Sequence, residues 1–321
     1  MFAVYATQPC PSDPLSALVV GERDTPQPPP GWVSVSVRAA SLNMHDLWTL
    51  RGVGIAADRF PMILGCDGAG VLEDGTEVVL HGVIGDPEWR GEETLDPKRT
   101  LLTEKYQGSF ADTVVVPSRN VLPKPAGLTF TEGACMGVAW LTAYRMLFVK
   151  SGLRPGQTML VQGAAGGVST ALIQLGIAGG FRVWVTGRSE QKRALAESLG
   201  AHATFEPGAR LPERVDAVFE TVGKATWSHT MRSLKPGGIV VVSGATSGDA
   251  SSAELQRLFF LQLRVVGSTM GTREELAELL RFCELTGVRP RIGAELAMEQ
   301  AVDGMRSMLD GTVAGKIVFT R

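Results

Sequence analysis

One short stretch near the middle of the chain constrains the fold more than any other. An apolar segment of strand length, Thr158–Gln162, leads into a turn of small residues, and helical spacing follows over Ser169–Ala178. Such a strand–turn–helix unit is typical of a dinucleotide site, because the unpaired N–H groups and the positive dipole end of the helix face a pyrophosphate. The residues of this predicted phosphate turn are Gly163, Ala164, Ala165, Gly166, Gly167 and Val168.

The match of the phosphate turn to the pattern GxGxxG is imperfect, because Ala164, Gly166 and Ser169 occupy its three glycine positions. The surrounding pattern strengthens the interpretation, since strands alternate with helical stretches beyond residue 125. This alternation predicts right-handed crossovers and an α/β fold with a doubly wound parallel sheet. Further strands are predicted at Arg182–Thr186, Asp216–Glu220, Gly238–Ser243 and Val265–Gly267, and further helices at Glu190–Leu199 and Ala277–Thr286.

The end of the second strand of this unit indicates which dinucleotide it binds. NAD sites place an Asp or Glu about 20 residues after the turn, where it binds a ribose hydroxyl. Here Thr186 and Gly187 end the strand, Arg188 follows, and Lys192 comes one helical turn later; Glu190 lies past the strand end. Since the two cations would attract a 2′-phosphate, the segment favours NADPH by roughly ten- to hundredfold. The alternative is that both are solvated surface charges.

The first third of the chain has the pattern of a β-rich domain. Trp32–Val37 alternates apolar and polar residues, as a half-buried strand does. Charged and weakly patterned residues over Asp86–Tyr106 predict a surface loop, and Lys316–Thr320 predicts a closing strand. Other strand candidates are Val71–Leu72, Glu77–Leu80 and Ala111–Val116.

Composition narrows the class of protein. Of 321 residues, 44% are apolar and 20% are charged, which predicts a globular protein with a sizeable core. A net charge of −2 favours neither nucleic acid nor an anionic membrane as a partner. The four cysteines form no CxxC pair, and no apolar run reaches the length of a membrane span, so we expect a reduced, cytoplasmic protein.

Seven short segments carry a further pattern: Ala39–Leu47, Leu64–Val71, Gly108–Asp112, Leu141–Tyr144, the phosphate turn, Leu199–Ala201 and Gly315–Val318. In this order they resemble segments of the medium-chain dehydrogenase/reductase superfamily, in particular its zinc-free branch of quinone oxidoreductases and enoyl reductases. Leu64–Val71, for example, resembles the GHExxGxV segment of that superfamily. The ordered set is far more specific than any one of its members, and it covers essentially the whole chain.

The resemblance implies an arrangement of two domains. Residues 1–125 and 270–321 would form a GroES-like catalytic domain, and residues 126–269 would form a Rossmann domain that binds NADPH. Relatives form dimers through the edge of the Rossmann sheet, so a homodimer is expected, with Phe259–Val266 as the apolar stretch at that edge.

The resemblance also implies that no catalytic zinc is bound. Zinc-dependent relatives place a Cys, a His-Glu pair and a second Cys where this chain has Asn43, then Cys66 and Asp67, then Val138. A catalytic zinc needs three protein ligands of Cys, His or carboxylate type. Cys66 and Asp67 alone do not supply them, so we expect no metal.

Three residues are candidates for the chemistry. By resemblance, Asn43 would contact the cofactor and donate a hydrogen bond to the acceptor oxygen; the alternative is a buried Asn that ties two loops together. His45 stands where zinc-dependent relatives carry a proton-relay hydroxyl and would donate a proton, unless its hydrogen bonds are satisfied internally. Tyr106 is a substitute for the phenol that some relatives carry where this chain has Phe60, and Asp46 is expected to fix the loop.

Four further cofactor contacts follow from the resemblance. Thr142 would face the nicotinamide end, Gly244 and Ala245 would approach the ribose, and Lys316 would reach the nicotinamide side or a phosphate, unless it is a solvated lysine of an edge strand.

The leading functional hypothesis is hydride transfer from NADPH to an activated C=C bond, as in an enone or enal, or to a quinone, without a metal. A second hypothesis is an alcohol or aldehyde dehydrogenase with an atypical metal site. A third is a non-catalytic, NADPH-binding redox sensor, because an intact phosphate turn argues for binding but not for turnover.

Overall fold

The structure, a computed structural model, describes residues 1–249 and 252–321, which divide into two units. The first unit comprises residues 1–141 and 270–321, and the second comprises residues 142–269. The first unit extends past the predicted boundary at residue 125, because the helix Phe130–Ala134 packs against strands of the first unit. The chain returns to the first unit at Met270, where the second boundary was predicted.

Strands and helices are numbered along the chain. The strands are β1 (Phe2–Ala6), β2 (Leu18–Glu22), β3 (Trp32–Ser41), β4 (Met62–Ile63), β5 (Ala69–Val71), β6 (Glu77–Leu80), β7 (Val83–Ile84), β8 (Thr100–Leu101), β9 (Thr113–Pro117), β10 (Val121–Pro123), β11 (Thr158–Gln162), β12 (Arg182–Thr186), β13 (Ala203–Phe205), β14 (Val215–Glu220), β15 (Leu234–Val242), β16 (Arg264–Gly267), β17 (Ile292–Ala297) and β18 (Lys316–Thr320). The α-helices are α1 (Met44–Leu50), α2 (Phe130–Ala134), α3 (Leu141–Tyr144), α4 (Gly167–Ala178), α5 (Glu190–Ser198), α6 (Trp227–Ser233), α7 (Leu255–Phe260), α8 (Arg273–Thr286) and α9 (Ala301–Asp310). Two π-helical segments, Met136–Trp140 and Arg145–Lys150, flank α3, and short 3-10 turns occur at Pro14–Ala17, Ala57–Arg59, Glu93–Leu95, Ser118–Asn120 and Met298–Gln300.

The second unit is built on one parallel sheet, which confirms the predicted doubly wound α/β fold. Its strand order is β13-β12-β11-β14-β15-β16, the order in which two βαβ halves diverge from a central switch point. All five strand pairs are parallel, and Leu160, Val218 and Val240 are fully buried in its core. Burial of both faces explains why these strands are continuously apolar rather than alternating.

The register of this sheet brings the carboxyl ends of its central strands to one edge. Gln162 pairs with Thr186, and Glu220 pairs with Val242, so four strands end at nearly the same level. We call this the carboxyl edge of the sheet. Ligands of open parallel sheets bind at this edge, beside the switch point in strand order.

The first unit is centred on a mainly antiparallel sheet of order β10-β6-β5-β3-β18-β17, with β9 also paired to β3. The last strand, β18, pairs with β3, so the C-terminal segment completes the sheet that the N-terminal part begins. Phe110 and Phe319 meet edge to face in its core, with ring centroids 5.1 Å apart. Such a contact adds to the burial of both rings.

The segment Asp86–Tyr106 is only in part the surface loop that the sequence predicts, since residues 87–91 are exposed but other parts are buried. Its strand β8 pairs with β7, and Leu102 and Thr103 are fully buried. Its charges misled the prediction because some of them face inward: Glu93, for example, is buried and accepts a hydrogen bond from the backbone N–H of Arg273 at 2.9 Å. Within the described part of the chain, no helix is both long enough and apolar enough to span a membrane.

Candidate functional site

The phosphate turn lies at the carboxyl edge of the parallel sheet. Gly163 follows β11 with φ +89°, a conformation that side-chain-bearing residues rarely adopt, and it turns the chain away from the strand. The helix α4 then begins at Gly167, and Gly166, its N-cap residue, has no side chain to cap it. Among the described residues no side-chain cap is made at this helix start, and a helix start without a cap is a state that an anion can exploit.

A buried polar network supports this turn from below. The Thr186 hydroxyl accepts a hydrogen bond from Gly163 N at 3.2 Å and donates one to Gln162 Oε1 at 2.7 Å. Gln162 Nε2 donates to the Thr230 hydroxyl at 3.0 Å, and that hydroxyl donates to Glu220 at 2.7 Å. The network ties together the ends of β11, β12 and β14, and so holds the backbone of the turn in place.

The sequence did not single out Gln162, Thr230 or Glu220. A polar Gln at the end of an otherwise apolar strand is a signal that could have identified the first of them, because a buried amide needs partners. The other two lie about 60 residues further along the chain, and only the sheet order brings them to Gln162.

Arg188 and Lys192 stand at the same edge, just after β12. Arg188 is exposed and Lys192 is half-buried at the start of α5. Among the described residues, neither has an acidic partner within 4.0 Å, whereas the neighbouring Arg193 pairs with Glu206 at 3.5 Å. Two cations without acidic partners beside an uncapped helix start form a site suited to phosphate groups.

The remaining residues of the second unit that are predicted to contact the cofactor differ in their location and burial. Gly244 and Ala245 follow β15 at the carboxyl edge, where Gly244 approaches the backbone of Thr221 and Ala245 that of Gly223. Thr142 is nearly fully buried in α3, between the two π-helical segments. A π-helical turn inside a helix frequently accompanies a functional site.

In the first unit, Asn43 lies in a buried network rather than at an open position. Its Nδ2 donates to Ser41 O at 3.0 Å and to Asp67 Oδ2 at 3.1 Å, and its Oδ1 accepts from Lys316 Nζ at 2.6 Å. Both amide hydrogens are therefore engaged within the protein. The arrangement matches the alternative reading, a buried Asn that ties loops together, and leaves no free hydrogen for an acceptor oxygen.

Lys316 is the cation of this network. Its side chain is 3% exposed, and besides Asn43 its ammonium donates to Leu42 O at 2.7 Å. Two of the three N–H donors of Lys316 are thus engaged within the protein, and its contact with the cofactor stays a prediction. Burial raises the pKa of Asp67, and the Lys316 charge opposes this.

Asp46 fixes the start of α1, as expected. It accepts hydrogen bonds from the backbone N–H groups of Asn43 at 2.9 Å and Gly65 at 2.8 Å, which joins two loops to the first turn of the helix. Burial raises the pKa of Asp46 from 3.8 to about 7, and the two backbone donors oppose the rise. Asp46 is thus a buried carboxyl that changes charge near neutral pH.

His45 lies in the same first turn of α1 and is 13% exposed. Its Nε2 makes no hydrogen bond within the described part of the chain, and the nearest charge is Glu104 Oε1 at 3.9 Å. Burial lowers the pKa of His45, while Glu104 and the backbone of Leu102 oppose this. Glu104 was missed because it lies in the segment interpreted as a surface loop.

Tyr106 is not brought to Asn43. Its ring packs on Trp32, with ring centroids 4.9 Å apart, at the start of β3. Asn43 follows the other end of that ten-residue strand, which spans roughly 30 Å. The predicted substitute for a phenol at the site therefore packs at the far end of the strand.

The residues at the positions of the zinc ligands do not fit a zinc ion. Val138 has no donor atom, and Asn43 directs its amide nitrogen, not its oxygen, at Cys66 Sγ, 3.8 Å away. Burial raises the pKa of the Cys66 thiol well above its usual value, which opposes the thiolate that zinc requires. In residues 1–249 and 252–321, no group of three or more His, Cys, Asp or Glu side chains is placed to hold a metal.

Comparison with known proteins gives consistent matches. The family model described as alcohol dehydrogenase GroES-like domain matches residues 29–126, and that of zinc-binding dehydrogenase matches residues 167–284. The chain is 26% identical to crotonyl-CoA reductase of Streptomyces collinus, over 98% of this chain and 84% of the relative. It is also 26% identical to quinone oxidoreductase of Mus musculus, over 92% of this chain and 90% of the relative. A solved structure of an NAD-dependent alcohol dehydrogenase shares 32% identity over 100% of both chains, with a TM-score of 0.92.

The titration of Asp46 predicts how stability depends on pH. Because its pKa in the folded protein is raised from 3.8 to about 7, the folded chain holds a proton in this range that the unfolded chain has released. The stabilisation is complete below pH 3.8 and is lost as the pH rises through 7, by at most about 1.4 kcal/mol per pH unit. We expect Asp46→Asn to flatten the decrease in the free energy of unfolding, measured by urea titration from pH 4.5 to 8.

The matched control is Asp58→Asn, which removes an exposed carboxylate in the same unit and should retain the wild-type slope. An unchanged slope in Asp46→Asn would contradict the assignment of this proton to Asp46.

Proposed function

The chain belongs to the medium-chain dehydrogenase/reductase superfamily of oxidoreductases, and we propose that it transfers hydride from NADPH to an activated C=C bond or a quinone without a metal. The observation that carries this proposal is the pair of cations without acidic partners, Arg188 and Lys192, beside the uncapped start of α4.

The second unit fits NADPH in its donor chemistry. The first turn of α4 would receive the pyrophosphate, and Arg188 and Lys192 would hold the 2′-phosphate, where NAD-specific sites carry a carboxylate instead. When bound, the nicotinamide supplies the hydride. The buried network of Gln162 and Thr186 keeps the turn in its binding conformation, so little ordering is needed on binding.

In the first unit, His45 is the proposed proton donor to the reduced acceptor. Its Nε2 is buried and makes no hydrogen bond to the described part of the protein, so a substrate or water that reached this atom would displace no internal hydrogen-bond partner. Asn43, Asp46 and Lys316 are proposed as positioning residues, because their mutual hydrogen bonds fix the first turn of the helix that carries His45. This assigns Asn43 a different role from the oxygen-binding donor suggested by resemblance.

The proposal of a metal-independent reaction rests on the donor set. The positions corresponding to zinc ligands carry an amide, a buried thiol, a carboxylate that is already hydrogen-bonded, and a valine. Hydride transfer to a C=C bond conjugated to a carbonyl, or to a quinone, needs only alignment and a hydrogen-bond donor, whereas alcohol oxidation in this superfamily uses zinc. The names of two relatives, a crotonyl-CoA reductase and a quinone oxidoreductase, agree with acceptors of this kind.

A homodimer is also proposed, formed through the edge of the parallel sheet. Strand β16 is the last strand of that sheet, so one side of its backbone has no partner strand in the described chain. Beside it, Phe259 is 70% exposed and Phe260 is 76% exposed. Exposed aromatic side chains next to an open strand edge are covered most simply by a second copy related by a two-fold axis.

The cofactor assignment predicts a selective loss of affinity. Replacing Arg188 and Lys192 by Ala removes both charges from the 2′-phosphate, so NADPH binding should weaken by roughly ten- to hundredfold. NADH binding should change less than about threefold, measured by fluorescence titration. Glu190→Gln is the matched control at the same helix start and should not weaken the binding of NADPH. Tighter binding of NADH than NADPH by wild type would contradict the assignment and would agree with the NAD-dependent neighbour.

The reaction class is tested by following NADPH oxidation with quinones, enones and enals before and after dialysis against a chelator. We expect turnover of one of these classes at an unchanged rate after chelation, with less than one zinc per ten chains by elemental analysis. Alcohol oxidation that is lost on chelation would support a zinc-type dehydrogenase instead. NADPH binding without consumption of any acceptor would support a redox sensor.

The dimer is tested by sedimentation. We expect wild type to sediment as a dimer at micromolar concentration and the double variant Phe259→Ser/Phe260→Ser as a monomer. Leu285→Ser removes an equally exposed apolar side chain, 80% exposed on α8 of the first unit, and should leave the dimer intact. A dimer that persists in the double variant would contradict this interface.

A further inference from the structure

A second concave site lies within the second unit. The chain between β13 and β14 and the helices α6 and α7 enclose a pocket of about 430 Å³. Small-molecule sites have volumes of roughly 300–1,000 Å³, so this pocket is large enough for a ligand. Four arginines line it, namely Arg210, Arg214, Arg232 and Arg257. We call it the arginine pocket.

The arginine pocket extends away from the phosphate turn. Arg214 directly precedes Val215, the first residue of β14, and Arg232 lies in the last turn of α6. Both therefore lie toward the amino ends of the parallel strands, whereas the phosphate turn follows their carboxyl ends. The six residues of strand β14 alone separate the amino ends of the strands from their carboxyl ends by roughly 17 Å.

The positive charge of the pocket is only partly compensated. Arg257 pairs with Glu254 at 3.5 Å, and Arg232 sits at a helix C-terminus and donates to the Ser228 hydroxyl at 2.6 Å. Within the part of the chain that the structure describes, Arg210 and Arg214 have no acidic partner within 4.0 Å. Among the described residues that line the pocket, Glu213 is the one with an acidic side chain.

Glu213 does not neutralise Arg210 or Arg214, because its carboxylate pairs with Arg182. The chain segment that lines the pocket is also tied to α6. His229 of that helix is nearly fully buried, and its Nε2 lies 2.9 Å from Ala209 O. Thus the chain segment that carries Arg210 is anchored to α6. In a chain with a net charge of −2, grouping four guanidinium ions around one concavity costs repulsion that an anion would relieve.

We propose that the arginine pocket binds a small molecule that carries two or more phosphate charges, at the same time as the cofactor occupies the carboxyl edge. Guanidinium groups bind phosphate through paired N–H donors, and four of them match an anion with several oxygens better than a single carboxylate. A diphosphate and a phosphorylated nucleotide share this chemistry. The inference does not depend on the reaction that the protein catalyses.

The test is calorimetric titration of the full chain with inorganic pyrophosphate and, separately, with ADP, each with and without saturating NADPH. We expect one pyrophosphate site per chain that persists in the presence of NADPH. In the double variant Arg210→Ala/Arg214→Ala, the affinity of this site for pyrophosphate should fall by at least tenfold for each arginine removed. The matched control Arg154→Ala/Arg281→Ala removes two exposed arginines outside the pocket and should bind as wild type does.

Each outcome is decisive. ADP binding more tightly than pyrophosphate at this site would identify a nucleotide as the ligand, and equal affinity would identify the diphosphate group itself. Pyrophosphate binding that NADPH abolishes, or that the Arg210/Arg214 variant retains in full, would overturn the proposal. If NADPH itself does not bind, the titrations without it still compare the two double variants, so a failure of the proposed function is distinguishable from a failure of this site.

Discussion

A single buried ammonium group organises the polar interior of the first unit. Lys316 reaches Leu42 O and Asn43 from the first residue of the last strand, and its charge opposes the pKa rise that burial imposes on Asp67. Without this cation a buried carboxylate would lack compensation, a state that costs several kcal/mol in proteins. The helix start that carries His45 therefore depends on a residue more than 270 positions away along the chain.

The second unit depends on a constraint of a different kind. Parallel strands end at one edge, so their turns and the residues that follow them are gathered there regardless of their separation in sequence. The Thr186 hydroxyl, at the end of β12, makes hydrogen bonds to Gly163 in the turn after β11 and to the Gln162 side chain at the end of β11. These bonds couple the two neighbouring strands directly under the phosphate turn. Binding residues on a surface supported in this way need little reorganisation when a ligand arrives.

The two proposed anion sites of the second unit differ in how they arise. At the carboxyl edge, uncapped backbone N–H groups and two cations belong to one strand–turn–helix unit and its neighbour. In the arginine pocket, the charges come from a crossover segment and two helices that are distant in sequence. The first can be recognised from local spacing, whereas the second exists only because the crossover after β13 passes beside α6 and α7.

The sequence alone determined the parts of this protein that local patterns encode. The doubly wound sheet was predicted, and the strands β11, β12 and β18 were predicted with bounds that agree with the structure, because strand and helix periodicity are short-range properties. The order of the seven short segments also sufficed to identify the family. The start of α4 at Gly167, two residues before the predicted Ser169, is a difference of the usual size at helix ends.

Tertiary structure alone decided which polar residues meet. The sequence left open whether Asn43 donates to an acceptor oxygen or ties two loops together, and in the structure Lys316 and Asp67 occupy its side chain. Tyr106 was a candidate at the site, yet its ring packs at a tilt against Trp32 at the far end of β3. A side chain's partners and its burial depend on contacts between distant segments, and these carry no periodic signal in the sequence. The residue types thus specify the available chemistry, and the packing of the chain specifies which groups remain free to perform it.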